Sequence, residues 1–534
     1  MHRRRFLGSL ASSLLASNRR MAVAAASARP STGKRFTVWT SPPSAGADEA
    51  VLFPFDLNSL PFTRDLRMTL ETARRKPDEV DGGLNIVMDP RHPGGKGPVL
   101  DHGAPGDPDA TEVICPNVFR VDGEYRMWYL GADADGRRRT GQYAVSKDGF
   151  HWEKPKLGLV EFRGSTRNNL VAGPCGEWMF HDPEDPDPGR RFKSLYMGKE
   201  MRISTSYSAD GLRWRAGRED IFGLGMEVGH VFRFNGCYFA NGQGGPAPIN
   251  RTIPPAVEGA SKRIMITYAS YDFERWTHAA ALSFRKDSIP PRPPEDFEPH
   301  RGEQVHEGAA VWNRGNVLIG LYGQYHNATN DRDGSVIDLG LIVSHDGLHF
   351  QEPVPDFKMV TSYEEADGAA PRLLQRNAFA NMDDRTVYWY SIWKDRLRPQ
   401  TGVRVATWVR DRLGYFAAAH ANHGFGAAYE PHCVSCPIEL GGPGCRVFLN
   451  ADGLGEHSQL AVELLGLDFT PLPGYSGADC IPVTRPGLRQ AVSWRGREAL
   501  DTLAGPVRVR VDWKGVRPED ARLYAVYLGD ERVV

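Results

Sequence analysis

Carboxylate side chains at or near the starts of predicted strands are the residues of this chain best suited to chemistry. Glu227 and Glu307 each lie at the start of an apolar predicted strand. Asp182 lies before the strand 192–197 of another unit, and Glu112 precedes a further strand. One protonated carboxyl group and one carboxylate that face each other can act as a general acid and as a nucleophile or base. These residues can cooperate only if the fold brings the strand starts together.

A seven-residue pattern of Ser, Asp, Gly and a final aromatic residue repeats along the chain. Its copies are 146–152 (SKDGFHW), 208–214 (SADGLRW), 344–350 (SHDGLHF) and, without the glycine, 270–276 (SYDFERW). Asp-Gly favours a tight turn with positive φ, the Ser and Asp side chains can accept hydrogen bonds from nearby backbone N–H groups, and the aromatic residue packs back on the sheet. Each copy therefore predicts the end of a unit such as the strand pair 125–130 and 142–146.

The spacing of these copies predicts a β-propeller. Consecutive copies are 62, 62 and 74 residues apart, which is enough for a four-stranded blade with long loops. An unmarked unit within 373–415 adds a fifth blade. We therefore predict an all-β protein with a five-bladed β-propeller over 109–421 and a C-terminal β-sandwich over 422–534. Residues 34–108 form a lead-in segment, part of which could complete the last blade.

Propeller geometry brings the strand starts together. The innermost strand of each blade lines a central funnel, so side chains at equivalent starts converge there. Aligning 231–233 with 118–120, both Val-Phe-Arg, places Glu227 level with Ile114, and matching glycines place His306 at the Glu227 position in the next blade. We also expect other polar and aromatic residues near the funnel, namely His181, His230, Trp178 and Arg376.

Two of these openings resemble motifs of the five-bladed propeller glycosidases of families 32 and 43, and family 32 also has a C-terminal β-sandwich. Asp182-Pro183 is similar to the Arg-Asp-Pro motif, with His181 in the arginine position, and Glu227 is similar to the catalytic glutamate of a Glu-Cys-Pro motif. The resemblance covers 112–534 as architecture and only short motifs as sequence. It implies a carbohydrate substrate, Glu227 as general acid and Asp182 as the carboxylate that orients the substrate. The histidines would bind sugar hydroxyls, and Trp178 would stack on a sugar face.

The first blade departs from the family pattern. Cys115-Pro116-Asn117 stands where the family has an Asp-Pro pair that supplies the nucleophile or base. Glu112 or Glu307 would then fill that role, and Asp109 is a further carboxylate upstream. The departure leaves two alternatives, a carbohydrate-binding propeller without hydrolytic activity and a glycoside phosphorylase that depends on basic residues such as Arg376.

Composition excludes several other classes of function. The 534 residues contain 65 Lys and Arg against 66 Asp and Glu, so a formal net charge of −1 gives no reason to expect nucleic acid as a partner. No stretch after residues 1–33 is long and apolar enough to span a membrane. The spacing of Cys433-x-x-Cys436 to the other cysteines is irregular, so we interpret these residues as buried thiols or one disulfide. We predict no metal and no cofactor.

The N-terminus predicts export. Residues 1–33 begin with a basic region, 2–8 (HRRRFLG), that leads into an apolar, alanine-rich stretch with a cleavage position after Ala28. The pattern resembles a twin-arginine export signal, although Asn18-Arg19-Arg20 interrupts the apolar region. We therefore expect a periplasmic or extracellular protein.

Overall fold

The structure is a computed structural model that describes residues 36–73, 98–198, 202–222, 226–244, 263–286, 301–362, 372–393, 401–419, 428–442, 444–501, 503 and 505–530. The predicted export segment lies outside these residues. The described chain is all-β, as predicted, and its helical pieces are single 3₁₀ turns at Pro188–Arg190, Arg332–Gly334 and Pro518–Asp520. None of the helices in the described ranges has the length and apolarity needed to cross a membrane.

Short strands open the chain. They are β1 (Phe36–Val38), β2 (Ser44–Ala47), β3 (Ala50–Leu52), β4 (Phe62–Arg64) and β5 (Leu66–Leu70).

Five antiparallel strand groups follow in chain order. Group 1 contains β6 (Glu112–Val121), β7 (Glu124–Ala132) and β8 (Arg138–Ser146). Group 2 contains β9 (Trp178–His181), β10 (Phe192–Met197), β11 (Ile203–Ser208) and β12 (Arg215–Ala216). Group 3 contains β13 (Glu227–Phe234), β14 (Cys237–Gly244), β15 (Ile264–Ser270) and β16 (Ala281–Phe284). Group 4 contains β17 (Gln304–Asn313), β18 (Leu318–His326), β19 (Val336–Ser344) and β20 (Lys358–Val360). Group 5 contains β21 (Arg372–Leu374), β22 (Phe379–Met382), β23 (Arg385–Trp393) and β24 (Val403–Val409).

The repeated Ser-Asp-Gly pattern forms the turn that its residues predict. The Ser146 hydroxyl accepts a hydrogen bond from the Gly149 N–H at 2.8 Å, and Asp148 Oδ1 accepts one from the Phe150 N–H at 2.8 Å. Trp152 Nε1 donates back to the Gly149 carbonyl at 2.9 Å. The same serine and aspartate bonds recur in the other three copies. Where the glycine is lost, Phe273 takes the left-handed conformation in its place, with φ of 63°.

Two of these turns also connect neighbouring groups. The Gly211 carbonyl of group 2 accepts from Trp128 Nε1 of group 1 at 2.7 Å, and the Gly149 carbonyl of group 1 accepts from Trp389 Nε1 of group 5 at 2.8 Å. Strand contacts show the same order, because β6 contacts β9, β9 contacts β13, β13 contacts β17, β19 contacts β21 and β23 contacts β6. Group 5 is therefore a neighbour of group 1, and the five groups form a closed sequence of contacts.

The C-terminal strands form two further antiparallel sheets and smaller pairings. They are β25 (Gly414–Ala418), β26 (His432–Val434), β27 (Ile438–Glu439), β28 (Arg446–Asp452), β29 (Gln459–Leu465), β30 (Cys480–Ile481), β31 (Gly487–Ala491), β32 (Ser493–Trp494), β33 (Arg508–Lys514) and β34 (Arg522–Gly529). One sheet has the order β31-β28-β34-β25-β5 with β3 beside β34, and the other has the order β29-β33-β26-β4. Their apolar faces share one buried core that includes Leu464, Trp494 and Val511.

The lead-in segment is divided between the two halves of the chain. Strands β3, β4 and β5 pair with C-terminal strands, and β1 pairs with β27, so they cover sheet edges that would otherwise be unpaired. Val99 and Leu100 pair instead with Val403 of β24 in group 5. The C-terminal sheets thus include strands from outside 422–534, both from the lead-in segment and from β25.

Candidate active site

A cavity of about 470 Å³ lies where the five groups meet. Each group contributes to its wall one residue from its innermost strand, or from the residues beside that strand. These residues are Cys115, Glu177, Glu227, Glu307 and Arg376. The wall thus brings three carboxylates together with the Arg376 guanidinium and the Cys115 thiol, and Arg138, Arg332 and Cys175 also line it.

Irregular backbone at the inner strands directs two of these side chains. The pairing of β6 with β7 shifts between Ile114 and Asn117, and that of β17 with β18 shifts between His306 and Ala309. The residues inside these bulges, Cys115 and Glu307, adopt left-handed φ values of 59° and 53°. A bulge re-aims a side chain that regular pleating would leave on a sheet face. Glu307 keeps this conformation although it is not glycine, which is typical of functional sites.

Arg376 holds two of the glutamates together. Its guanidinium is buried, and its Nη1 donates to Glu307 Oε2 at 2.6 Å while its Nη2 bonds Glu177 Oε1. Asn117 also fixes Glu177, because its Nδ2 donates to the Glu177 carbonyl at 2.8 Å. A buried cation is costly unless it is paired, and two carboxylates pair this one. Glu177 and Glu307 are thereby held on one guanidinium.

Gln243 joins Glu227 to Glu307. Its Oε1 accepts a hydrogen bond from the Glu307 backbone N–H at 3.1 Å, and its Nε2 donates to Glu227 Oε2 at 3.0 Å. A backbone N–H can only donate, so it determines which way the amide group points. The Glu227 carboxyl group is therefore held by an oriented donor next to Glu307.

The electrostatics of the cavity favour a protonated Glu227. Burial and then the negative charge of Glu307 raise the pKa of Glu227 to about 7, against the opposing effect of Arg376. The Glu227 side chain remains accessible from the cavity. Glu227 can therefore donate a proton near neutral pH while Glu307 is ion-paired with Arg376.

Cys115 is a buried, protonated thiol. Burial raises its pKa well above the usual value, Arg376 opposes this only in part, and the carboxylates of Glu177 and Glu307 raise it further. Thiolate is the nucleophilic form of cysteine, so this environment disfavours Cys115 as a nucleophile.

The upstream carboxylates of group 1 lie behind the cavity wall. Glu112 is buried and accepts two hydrogen bonds from Arg138, at 2.6 Å from Nε and 2.8 Å from Nη2. Arg138 lines the cavity and Glu112 does not. Asp109 is buried against Tyr129 and Lys154 instead.

Asp182 lies away from the cavity, between groups 2 and 3. It accepts hydrogen bonds from Lys193 and Arg233, both at 3.2 Å, and from the Tyr238 hydroxyl. Burial alone would raise the pKa of Asp182, but these three donors outweigh it and lower the pKa. The cavity meets the opposite end of β9, at Glu177 and Trp178, and a four-residue strand spans about 13 Å.

Of the predicted binding residues, Trp178 and Arg376 line the cavity and the histidines do not. His181 stacks on Phe192, and burial lowers its pKa to about 4. His230 Nε2 bonds the Val311 carbonyl at 3.1 Å, and burial lowers its pKa to about 3.

His306 packs behind the cavity wall. Its ring stacks on Trp393 with the ring centres 5.3 Å apart, and Trp393 is the residue that lines the cavity. Burial and then four nearby arginines lower the pKa of His306 well below its usual value, so this ring is neutral.

Comparison with known proteins shows partial matches. No protein-family model matches the chain. The chain is 33% identical over 113 residues to the uncharacterized protein MT1551 of Mycobacterium tuberculosis (strain CDC 1551 / Oshkosh), which is 20% of this chain and 35% of that protein. It is 32% identical over 112 residues to the uncharacterized protein Rv1502 of strain ATCC 25618 / H37Rv, with the same shares. The chain thus spans about a third of the length of the curated relatives it matches.

Comparison with solved structures gives matches of low sequence identity and low TM-score, which include glycoside hydrolases. A thermostable family-43 glycoside hydrolase has a TM-score of 0.36 at 12% identity and covers 57% of this chain and 91% of its own. A glycosyl hydrolase from Bacteroides ovatus has a TM-score of 0.38 at 15% identity and covers 64% and 98%. A GH130 structure has a TM-score of 0.37 at 14% identity and covers 66% and 99%; it comes from work describing that family of mannoside phosphorylases as containing glycoside hydrolases.

Sequence reasoning missed two residues of the site. The 62-residue separation of the first two turn patterns, applied to Cys115, leads to Glu177, so the repeat itself contained that signal. Gln243 lies opposite Glu227 on the neighbouring strand β14. Its role depends on strand register, which no sequence motif indicates.

The cysteines form no disulfide among the described residues. All seven are buried and unbridged, including Cys433 and Cys436 among the C-terminal strands. Within the described ranges, no three His, Cys, Asp or Glu side chains come together in a group that could hold a metal ion.

Proposed function

We propose that this chain is a glycoside hydrolase that cleaves glycosidic bonds of a poly- or oligosaccharide in the central cavity. In this proposal the five strand groups are the blades of a five-bladed β-propeller, and the C-terminal sheets form a β-sandwich. The closed sequence of contacts between neighbouring groups supports the propeller arrangement, because group 5 bonds to the turn of group 1.

The observation that carries the proposal is the pairing of two differently held carboxyl groups. Glu227 has a pKa of about 7, and Glu307 beside it is ion-paired with Arg376. Glycoside hydrolysis requires one carboxyl group that donates to the leaving oxygen and one carboxylate that attacks or activates water. We assign Glu227 as the general acid and Glu307 as the nucleophile or base. Glu177 is the second carboxylate on the guanidinium of Arg376.

The remaining predicted carboxylates receive supporting roles. Glu112 holds Arg138 in place at the cavity wall through two hydrogen bonds. Asp182 joins groups 2 and 3 through Lys193 and Arg233. Neither residue needs to touch the substrate in this proposal.

The test is product release from a panel of oligosaccharides and aryl glycosides with the parent and Glu227→Gln. We expect the variant to lose about 100- to 10,000-fold in kcat/KM for poor leaving groups, because it cannot donate the proton. The loss should be much smaller for an activated nitrophenyl leaving group, which departs without protonation. Glu184→Gln is the matched control, since that side chain is 84% exposed and lies outside the cavity wall. Equal losses for good and poor leaving groups would contradict general-acid catalysis by Glu227.

One observation favours a second candidate function, carbohydrate binding without hydrolysis. Group 1 presents a protonated thiol at the cavity, where the resembled family has a carboxylate. If the parent binds sugars and releases no product from any substrate in the panel, this second function replaces the first.

A further inference from the structure

A cluster of arginines borders the cavity on the side of groups 4 and 5. Arg332 and Arg376 line the cavity, and Arg263 and Arg372 stand close enough to depress the pKa of the neighbouring His306 together with them. We call Arg263, Arg332, Arg372 and Arg376 the arginine cluster. The cluster also influences Glu227, because the positive charge of Arg263 opposes the rise in the pKa of that carboxyl group.

The carboxylates near this cluster do not match all of its charges. Arg376 bonds Glu177 and Glu307, and Arg372 lies 3.8 Å from Asp333. Among the described residues, neither Arg263 nor Arg332 forms an ion pair with a carboxylate, and both contact aromatic rings.

The two arginines without a carboxylate partner each lie over an aromatic ring. The Arg332 guanidinium lies 4.6 Å from the centre of the Trp393 ring, and that of Arg263 lies 4.7 Å from the centre of the Tyr325 ring. Arg263 Nη1 is buried without a hydrogen-bond partner among the described residues.

Stacking leaves a guanidinium free to bind an anion. The ring contacts one face of the planar group, while its N–H donors point outward in the plane and match two oxygens of a carboxylate or phosphate. His306, which stacks on the same Trp393, is neutral and adds no positive charge of its own. Arg332 is therefore a cation presented to the cavity with its donors available.

We propose that the cavity binds an oxyanion, the carboxylate of an acidic sugar or a phosphate group, against Arg332 and the arginine cluster, beside the glutamates that act on the glycosidic bond. The proposal rests on the proposed function for the saccharide nature of the ligand. It adds the class of that ligand, an acidic saccharide or a neutral saccharide together with phosphate.

The test is calorimetric titration of the full chain with glucuronate, galacturonate, glucose, galactose and inorganic phosphate at one pH and ionic strength. We expect at least one oxyanion probe to bind about tenfold or more tightly than the neutral sugars, as a charge-assisted bidentate pair provides. Arg332→Gln should weaken that binding about tenfold, and Arg332→Lys should retain part of it. Arg275→Gln is the control, because that side chain is 84% exposed on a turn of group 3.

The outcomes separate the two sources and the two proposals. Uronate binding identifies a substituent of the saccharide, and phosphate binding identifies a free phosphate. Equal affinity for neutral and anionic probes, no binding of any oxyanion probe, or unchanged binding by Arg332→Gln would overturn the inference. Binding to Glu227→Gln can be titrated without turnover of the ligand. Oxyanion binding by a parent protein that hydrolyses no substrate would refute the proposed function and support this inference.

Discussion

At the scale of single residues, the site depends on how each charge is compensated. Arg376 is buried and pairs with Glu177 and Glu307, whereas Glu227 has an amide donor and no direct ion pair among the described residues. This difference is what allows Glu227 to be protonated near neutral pH beside a carboxylate that stays paired. The same physical rule explains why one site can contain both an acid and a base.

Gln243→Met tests the role of the amide that joins the two glutamates. The amide donor stabilises the charged form of Glu227, so its removal should raise the pKa of Glu227 further. The decline of kcat/KM at high pH should then move to higher pH than in the parent. Gln351→Met, at an exposed position on the edge of group 4, is the control. A lower rate with an unmoved pH profile would show that Gln243 has only a structural role.

Residue positions in the site were predictable where the repeat determines them. Glu227, Glu307, Trp178 and Arg376 line the cavity as expected from their positions near strand starts. Glu112 and Asp182 could not be placed this way, because burial and ion pairs decide where a carboxylate of a loop or strand end points. Asp182 follows its strand, whereas the cavity lies at the start of that strand.

At the scale of elements, the Ser-Asp-Gly turn does two things. Its side chains satisfy the backbone N–H groups of the turn, and in two copies the glycine carbonyl accepts a bond from a tryptophan of a neighbouring group. The motif was predicted as a local turn, and its local hydrogen bonds confirm that prediction. Its contact with a neighbouring group could not be predicted, since it depends on a tryptophan more than 80 residues away in the case of Gly211.

Gly211→Ala tests this contact. A Cβ atom at Gly211 would lie 2.5 Å from the Trp128 ring, and φ there is 77°, so the variant combines backbone strain with a clash. We expect a loss of about 2–4 kcal/mol in the free energy of unfolding, measured by urea denaturation. Gly136→Ala has a similar φ of 74° and open space around the added atom, so it should lose only about 1–2 kcal/mol. Equal losses for the two variants would show that the contact with Trp128 adds nothing.

At the scale of the whole molecule, the lead-in segment connects the strand groups to the C-terminal sheets. Strand β3 pairs with β34, and the following residues reach group 4 through Asp56, whose Oδ1 bonds His345 Nε2 at 2.8 Å. His345 Nδ1 faces the Asn316 carbonyl at 3.2 Å. Both ring nitrogens therefore face acceptors, which requires the protonated imidazolium.

His345→Gln should change how stability depends on pH. Burial alone would lower the pKa of His345, but the hydrogen bond and charge of Asp56 outweigh it and raise the pKa. The stabilisation is complete below the usual histidine pKa of about 6.5 and is lost as pH rises through the raised pKa. Between about pH 6 and pH 9 the free energy of unfolding of the parent should fall by about 1–2 kcal/mol more than that of His345→Gln.

The control for this comparison lies in the same turn. His349 is 71% exposed, and His349→Gln should follow the parent's pH dependence of unfolding free energy. If His345→Gln also follows the parent's pH dependence, the charged histidine does not stabilise the contact between the lead-in segment and group 4.

The overall organisation was predictable to the extent that it is repetitive. The all-β class is confirmed, and the spacing of the turns indicated the strand groups before any contact was known. The division of the lead-in segment was not predictable, because a three-residue strand carries too little pattern to name its partner. Sheet edges created by distant parts of the chain decide where such strands pair.

The pH dependence of kcat/KM, measured on the parent protein, is the direct test of Glu227 as the proposed proton donor. This ratio reports the ionisation of the free enzyme, in which the pKa of Glu227 is raised to about 7 by burial and by Glu307. A general acid must be protonated to act, so kcat/KM on a substrate with a poor leaving group should fall as pH rises through about 7. A rate that stays constant or increases from about pH 6 to about pH 9 would contradict the assignment of Glu227 as the proton donor.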